Sequence, residues 1–170
     1  MVAASLKFGA ATVLATLSLG ACEPGFNTTA TTTNVVIAGR TFKLELAITP
    51  DTRVQGLSNR KEIPADGGML FVFPDLQVAR QEFVMRDCPV PIDIIFLDKT
   101  RRVTATHAMQ VEESRRESED MAAYESRLKR YSSRFDAKYA IELKGGTLPS
   151  LNLKQGDQIN IDPALADKAR

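Results

Sequence analysis

Charge of one sign is what this sequence most plainly lacks. Formal net charge is +1 over 170 residues. Lys7 is the sole charged residue before Cys22, and the chain beyond it carries equal numbers of basic and acidic side chains. That balance offers no basic field for nucleic acid and no acidic tail. Cysteine and histidine are scarce. Two Cys and one His leave no cluster from which to build a Cys/His metal site, so neither a metal nor a cofactor is expected. Long apolar runs are missing too: none reaches the ~20 residues a helix needs to span a bilayer. No phosphate loop, serine elbow or dinucleotide motif is present. What remains is ordinary globular composition, 44% hydrophobic and 25% charged, at a length that fits one domain with appendages.

Residues 1–21 read as a targeting segment. Lys7 gives a short positive region, and Phe8–Leu19 is an uncharged run of Ala, Val, Leu, Thr and Ser, as in an exported signal peptide. The run ends Leu19-Gly20-Ala21-Cys22, which resembles the bacterial lipoprotein box. The resemblance implies diacylglyceryl transfer to the Cys22 thiol, cleavage before it and acylation of the new amine. Several acyl chains on one residue anchor stably, whereas one chain alone is marginal. The plainer alternative is secretion with cleavage near Ala21, although Leu19 fits a small-x-small site poorly. Glu23 rather than Asp follows the Cys, which favours the outer membrane. The expectation is an exported protein held to the membrane through lipidated Cys22 and facing the periplasm or the exterior. Cys88 is then a lone thiol in an oxidising compartment. A Cys22–Cys88 disulfide is the competing arrangement.

Residues 22–33 read as the lipidated Cys and a Thr-rich flexible tether. A single domain is expected over 34–162, with 163–170 as a polar tail. Thr41–Ile48 alternates, with Phe42, Leu44, Leu46 and Ile48 on one face, as a half-buried strand does. Thr49-Pro50-Asp51 offers a helix start for a short helix over 52–57. Met69–Phe73 and Ile92–Leu97 are apolar runs bounded by Gly and Pro, the mark of buried strands. Further strands are expected at 81–86, 102–109, 138–143 and 158–161. Met121, Tyr124, Leu128, Tyr131 and Phe135 recur at spacings of three and four. That spacing predicts an amphipathic helix over 117–135, capped by Ser118, in an insertion covering about 110–135. The fold class expected is mainly β: a compact antiparallel β-sandwich or partly open barrel with one inserted helix.

Five blocks occur in order: Arg53-x-x-Gly56-Leu57-x-x-Arg60, Gly68-Met69-Leu70-Phe71, Phe83-x-Met85-Arg86-Asp87-Cys88-x-x-Pro91-Ile92-Asp93, Tyr139-Ala140-Ile141-Glu142-Leu143-x-Gly145, and Gly156-Asp157. Together they resemble the family known as domain of unknown function 192, over about Val35–Ile161. The resemblance implies a compact, sandwich-like β domain and no established activity. Three departures stand out. The family usually has Phe-Trp-Met-Lys-Asn-Thr where this chain has Phe83-Val84-Met85-Arg86-Asp87-Cys88. Ser58 replaces a usual Met, and the charged segment around 110–135 is additional.

The polar knot Met85-Arg86-Asp87-Cys88 between two apolar strands is more than packing asks for. Cys88 with His107 is a conceivable nucleophile and base, but nothing beside His107 orients it. Asp87 and Asp93 are a conceivable carboxylate pair for hydrolysis, or the partners of Arg53, Arg60 or Arg86 in structural ion pairs. The reading adopted gathers Arg53, Arg60, Met85, Arg86, Asp87 and Asp93 at one rim, where arginine forks suit a polar ligand. The function expected is a non-enzymatic binding or accessory module for a small polar ligand, a glycan or an envelope protein. An interaction protein using the inserted helix is a further alternative, and it requires Tyr124, Leu128 and Tyr131 to be exposed.

Overall fold

The computed structural model describes residues 31–170. Eight strands form two sheets. The larger runs β1(Thr32–Ile37), β2(Arg40–Ala47), β3(Gly67–Val72), β8(Tyr139–Lys144), β5(Ile92–Leu97), β6(Val103–Met109) across its width. The smaller is a ribbon of β4(Ala79–Phe83) with β7(Tyr131–Ala137). Three short helices complete the set: α1(Pro50–Gln55), α2(Met121–Arg127) and α3(Leu148–Leu151). The chain is mainly β, and its architecture is a sandwich-like, partly open barrel.

The closure comes from one segment. Asn160 bridges Val36 on edge strand β1, and Gln158 bridges Arg102 at the start of the opposite edge, β6. The Ile159 amide donates to the Arg101 carbonyl at 3.0 Å. Residues 158–161, expected as a strand, make these isolated bridges instead.

The central sheet is buried on both faces, which is why β3 and β5 are continuous apolar runs. Alternate residues serve two cores. Leu70, Val72, Ile95, Leu97, Ile141 and Leu143 face the core closed by the C-terminal segment. Met69, Phe71, Ile92, Ile94, Phe96 and Ala140 face the core covered by Leu57, Met85, Cys88 and Tyr131. The second half of β2 is covered on both sides as well, so Glu45 is buried beside Leu44 and Leu46.

Several sequence expectations are corrected. The sheet is not wholly antiparallel: β2 and β3 run parallel, in register from Lys43 opposite Gly67 to Ala47 opposite Phe71. β1 begins at Thr32, before the domain start expected at Asn34 and inside the tether expected over 22–33. The strand expected at 81–86 lies at Ala79–Phe83. The tail is not free: residues 163–168 form a 3-10 helix that buries Leu165 in the first core.

The helix expected over 117–135 is the largest departure. Only Met121–Arg127 is helical, capped by Asp120, whose carboxylate accepts from the Ala123 amide at 2.7 Å. Tyr131–Phe135 belongs to β7, where Tyr131 and Ser133 are buried two residues apart. Pairing with β4 overrides the helical spacing, because strand preference is set by neighbours more than by the residue. Tyr124, Leu128 and Tyr131 are 1%, 3% and 4% exposed. They are packing residues, and the helix presents no such recognition face.

Candidate functional site

The sequence-expected cluster divides in two. Arg53 and Arg86 share a cleft between α1, β4 and the face of the central sheet, and Asp87 lies beside it in a shallow depression with Asp51 and Ser58. Met85 is 1% exposed and packs beneath, in the second core. Arg60 and Asp93 are not brought to the cleft. Arg60 holds Glu45 with two parallel hydrogen bonds of 2.6 and 2.7 Å. Asp93 is 1% exposed and accepts from the Leu148 amide at 2.6 Å, fixing the start of α3. Cys22 lies outside the described residues.

α1 forms the roof of the cleft, and local chemistry sets its limits. Thr49 and Thr52 form a reciprocal capping box, and Pro50 occupies the first turn. Gly56 ends the helix at φ 50°, a left-handed backbone that favours glycine. Six residues are too few for a stable isolated helix, so tertiary contacts must hold it. Arg53 reaches the carbonyls of Val72 at 3.2 Å and Arg170 at 2.6 Å. Arg86 bonds the Val54 carbonyl at 2.9 Å and Glu125 on α2 at 2.6 Å. The two arginines therefore brace the roof.

The segment after β4 is stitched down in the same way. Ser58 donates to the Arg86 carbonyl at 2.9 Å, and the Asn59 amide to the Asp87 carbonyl at 2.7 Å. Asp87 stands at φ 53°, which Asp tolerates better than most residues. The Tyr124 hydroxyl accepts from the Asp87 amide at 3.1 Å and donates to its carboxylate at 3.3 Å.

The cleft encloses about 370 Å³, within the range of small-molecule sites. Phe83 organises its walls. Its ring meets Phe71 at 5.0 Å and Phe73 at 6.5 Å, and Phe96 in the core at 5.4 Å, all edge to face. Such contacts contribute about 1 kcal/mol each beyond buried area.

One polar group at the floor was not among the expected site residues: Glu142, on β8. It is 5% exposed, and its Oε2 atom has no hydrogen-bond partner. A buried acceptor left unpaired costs about 1–3 kcal/mol. Gly56 stands over it: a Cβ there would lie 3.4 Å from the Phe71 ring and 3.5 Å from Oε2. Burial pushes the Glu142 carboxyl up to about 8, against the opposing pull of the Leu57 amide and of Arg60. Burial thus favours the protonated form of Glu142. It stood in the block Tyr139–Gly145, where alternation assigns it to the face opposite Tyr139, Ile141 and Leu143. The signal that finds it is a Glu in a strand with both faces covered.

Cys88 also lines this cleft. It is free, and burial, with Glu142 and Asp87 adding to it, pushes its thiol up to about 12. The sulfur donates to the Arg86 carbonyl at 3.4 Å. It is a protonated packing thiol and no nucleophile. His107 sits on edge strand β6, with Nε2 2.7 Å from the Ser132 carbonyl. That carbonyl can only accept, so Nε2 carries the proton. Among the described residues no group of His, Cys, Asp or Glu gathers to hold a metal ion. A larger hollow of about 810 Å³ mixes Arg80, Lys99, Arg102 and Arg134 with Asp98 and Asp136, away from every expected residue.

Solved structures share this fold. A protein of unknown function from Novosphingobium aromaticivorans is 25% identical, with a TM-score of 0.65 over 82% of this chain and 91% of that one. A protein from Sinorhizobium meliloti, described as a candidate transcription regulator, is 27% identical, with a TM-score of 0.58 over 75% and 89%. No curated protein matches the chain in sequence. The model of DUF192, described as an uncharacterised ACR, matches residues 32–161. The chain belongs to the DUF192 family.

Proposed function

We propose that this protein is an exported, lipid-anchored binding or accessory module of the cell envelope that holds a small polar ligand in the cleft under α1. The observation that carries this reading is the unpaired Glu142 Oε2 at the floor of an aromatic cleft. Ordinary packing satisfies buried polar atoms, and a site kept for a ligand is a place where one is left over. The anchor rests on Leu19-Gly20-Ala21-Cys22 and on the polar stretch that separates it from β1.

The hydrolase alternative draws no support from the geometry, because Asp93 faces the other side of the sheet and is consumed by the Leu148 amide. The test has two arms. Radiolabelled palmitate is expected to label the wild-type chain in a bacterial host and not Cys22→Ser; equal labelling overturns the anchor. A thermal-shift screen of polar metabolites and glycan fragments is expected to find ligands that raise the melting point, since anything selective for the native state does so. Hits whose effect is unchanged in Phe83→Ala overturn the cleft as the site.

A further inference from the structure

We propose that Glu142 acts as a hydrogen-bond donor, presenting the proton of its neutral carboxylic acid to a carbonyl oxygen of the ligand, so that the cleft selects small amide-type molecules with an apolar body. This rests on the reading of the cleft as a binding site, and it names the class of ligand.

The cations nearest the carboxyl are committed elsewhere. Arg60 grips Glu45, Arg86 grips Glu125 and the Val54 carbonyl, and Arg53 grips the Val72 and Arg170 carbonyls. Arg60 opposes the shift, but a carboxylate at this depth is costly, and the cheaper state keeps the proton. The rise of the carboxyl to about 8 agrees with that geometry.

The charges facing the carboxyl favour an oxygen over an ammonium. α1 contributes Arg53, and the segment after β4 contributes Arg86, Asp87 and the protonated Cys88 thiol. β4 contributes Glu82, which lies 3.8 Å from Arg130, and β2 contributes Glu45, held by Arg60. Among the side chains lining the cleft, two arginines stand against one acid besides Glu142. A cationic head group meets two guanidiniums there, those of Arg53 and Arg86. A neutral carbonyl meets a donor at the floor and aromatic edges from Phe71, Phe73 and Phe83 for its apolar part.

Oε2 lies beneath Gly56, and Glu142 lines the cleft. The bond a ligand makes there replaces one that no protein group supplies.

The test uses the full chain in detergent with two probes, 4-fluorobenzamide and 4-fluorobenzylamine, observed by fluorine NMR at pH 6.5 and pH 9. The amide is expected to bind roughly tenfold more weakly at pH 9, the loss that follows from ionising an acid near pH 8. Glu142→Gln keeps an N–H donor at both pH values, so it is expected to bind the amide equally at both. The amine is expected to bind weakly throughout. Amide binding that is independent of pH in the wild type, or preferred amine binding that strengthens with pH, overturns the donor role while leaving the cleft a binding site. Binding of neither probe overturns both.

Discussion

Asp93 and Glu142 stand one register step apart on neighbouring strands, on opposite faces of one sheet. Both are buried, and the fold treats them differently. Asp93 faces the core closed by the C-terminal segment, where the first amide of α3 meets it at 2.6 Å. Glu142 faces the cleft, with one oxygen left over. A third buried acid, Glu45, lies on the Glu142 side and is neutralised by a bidentate arginine. An acid that serves the fold is answered by a donor from the fold. The acid that is not fully answered lies under the aromatic cleft, and this difference, more than depth of burial, singles out Glu142.

The comparison can be broken most sharply with Glu142→Gln. A carboxyl raised to about 8 retains its proton in the folded state after the unfolded chain has released it. Wild-type stability therefore falls as pH rises from the unfolded value of about 4.5 to about 8, and levels off above that. Urea midpoints are expected to show the wild type losing roughly 3–5 kcal/mol relative to the variant across this window. Parallel pH profiles for the two proteins put the free oxygen in doubt.

Arg60→Ala tests the answered acid on the same face. It leaves Glu45 buried without its fork, and a loss of about 3 kcal/mol is expected by chemical denaturation. A loss below about 1 kcal/mol shows that Glu45 finds another partner. Asp93→Ala is the mildest of the three. It strands the Leu148 amide and is expected to cost about 2 kcal/mol, with increased hydrogen exchange at that amide. Unchanged exchange there removes Asp93 from its structural role.

Much of the fold was legible because burial on both faces writes itself as continuous apolar residues. Met69–Phe73 and Ile92–Leu97 were readable as strands for that reason, and 138–143 by the alternation of Tyr139, Ile141 and Leu143. Pairing was not readable. Nothing in the period of β2 or β3 announces that they run parallel, since direction is decided by the path of the intervening α1 and loop. The stripe from Met121 to Phe135 misled because spacings of three and four also contain positions that a strand can bury. Tyr131 and Ser133 follow a period of two once β4 supplies a partner. For the site, residue types were legible and their facing was not. Arg53 and Arg86 reached the cleft, while Asp93 turned away because strand alternation sends it to the opposite face from Ile92 and Ile94. Glu142 was hidden by the ordinary expectation that alternate polar residues look toward water.

The bridges made by Gln158 and Asn160 carry one more consequence. Both margins of the large sheet are claimed by a few residues near the end of the chain. A polypeptide that emerges amino end first builds every strand of that sheet before the clasp that seals it arrives. Until then Val36 on β1 and Arg102 at the entry to β6 lack these edge partners. Residues 158–161 and the 3-10 helix that follows thus seal the hydrophobic interior only after every strand of the sheet has been made.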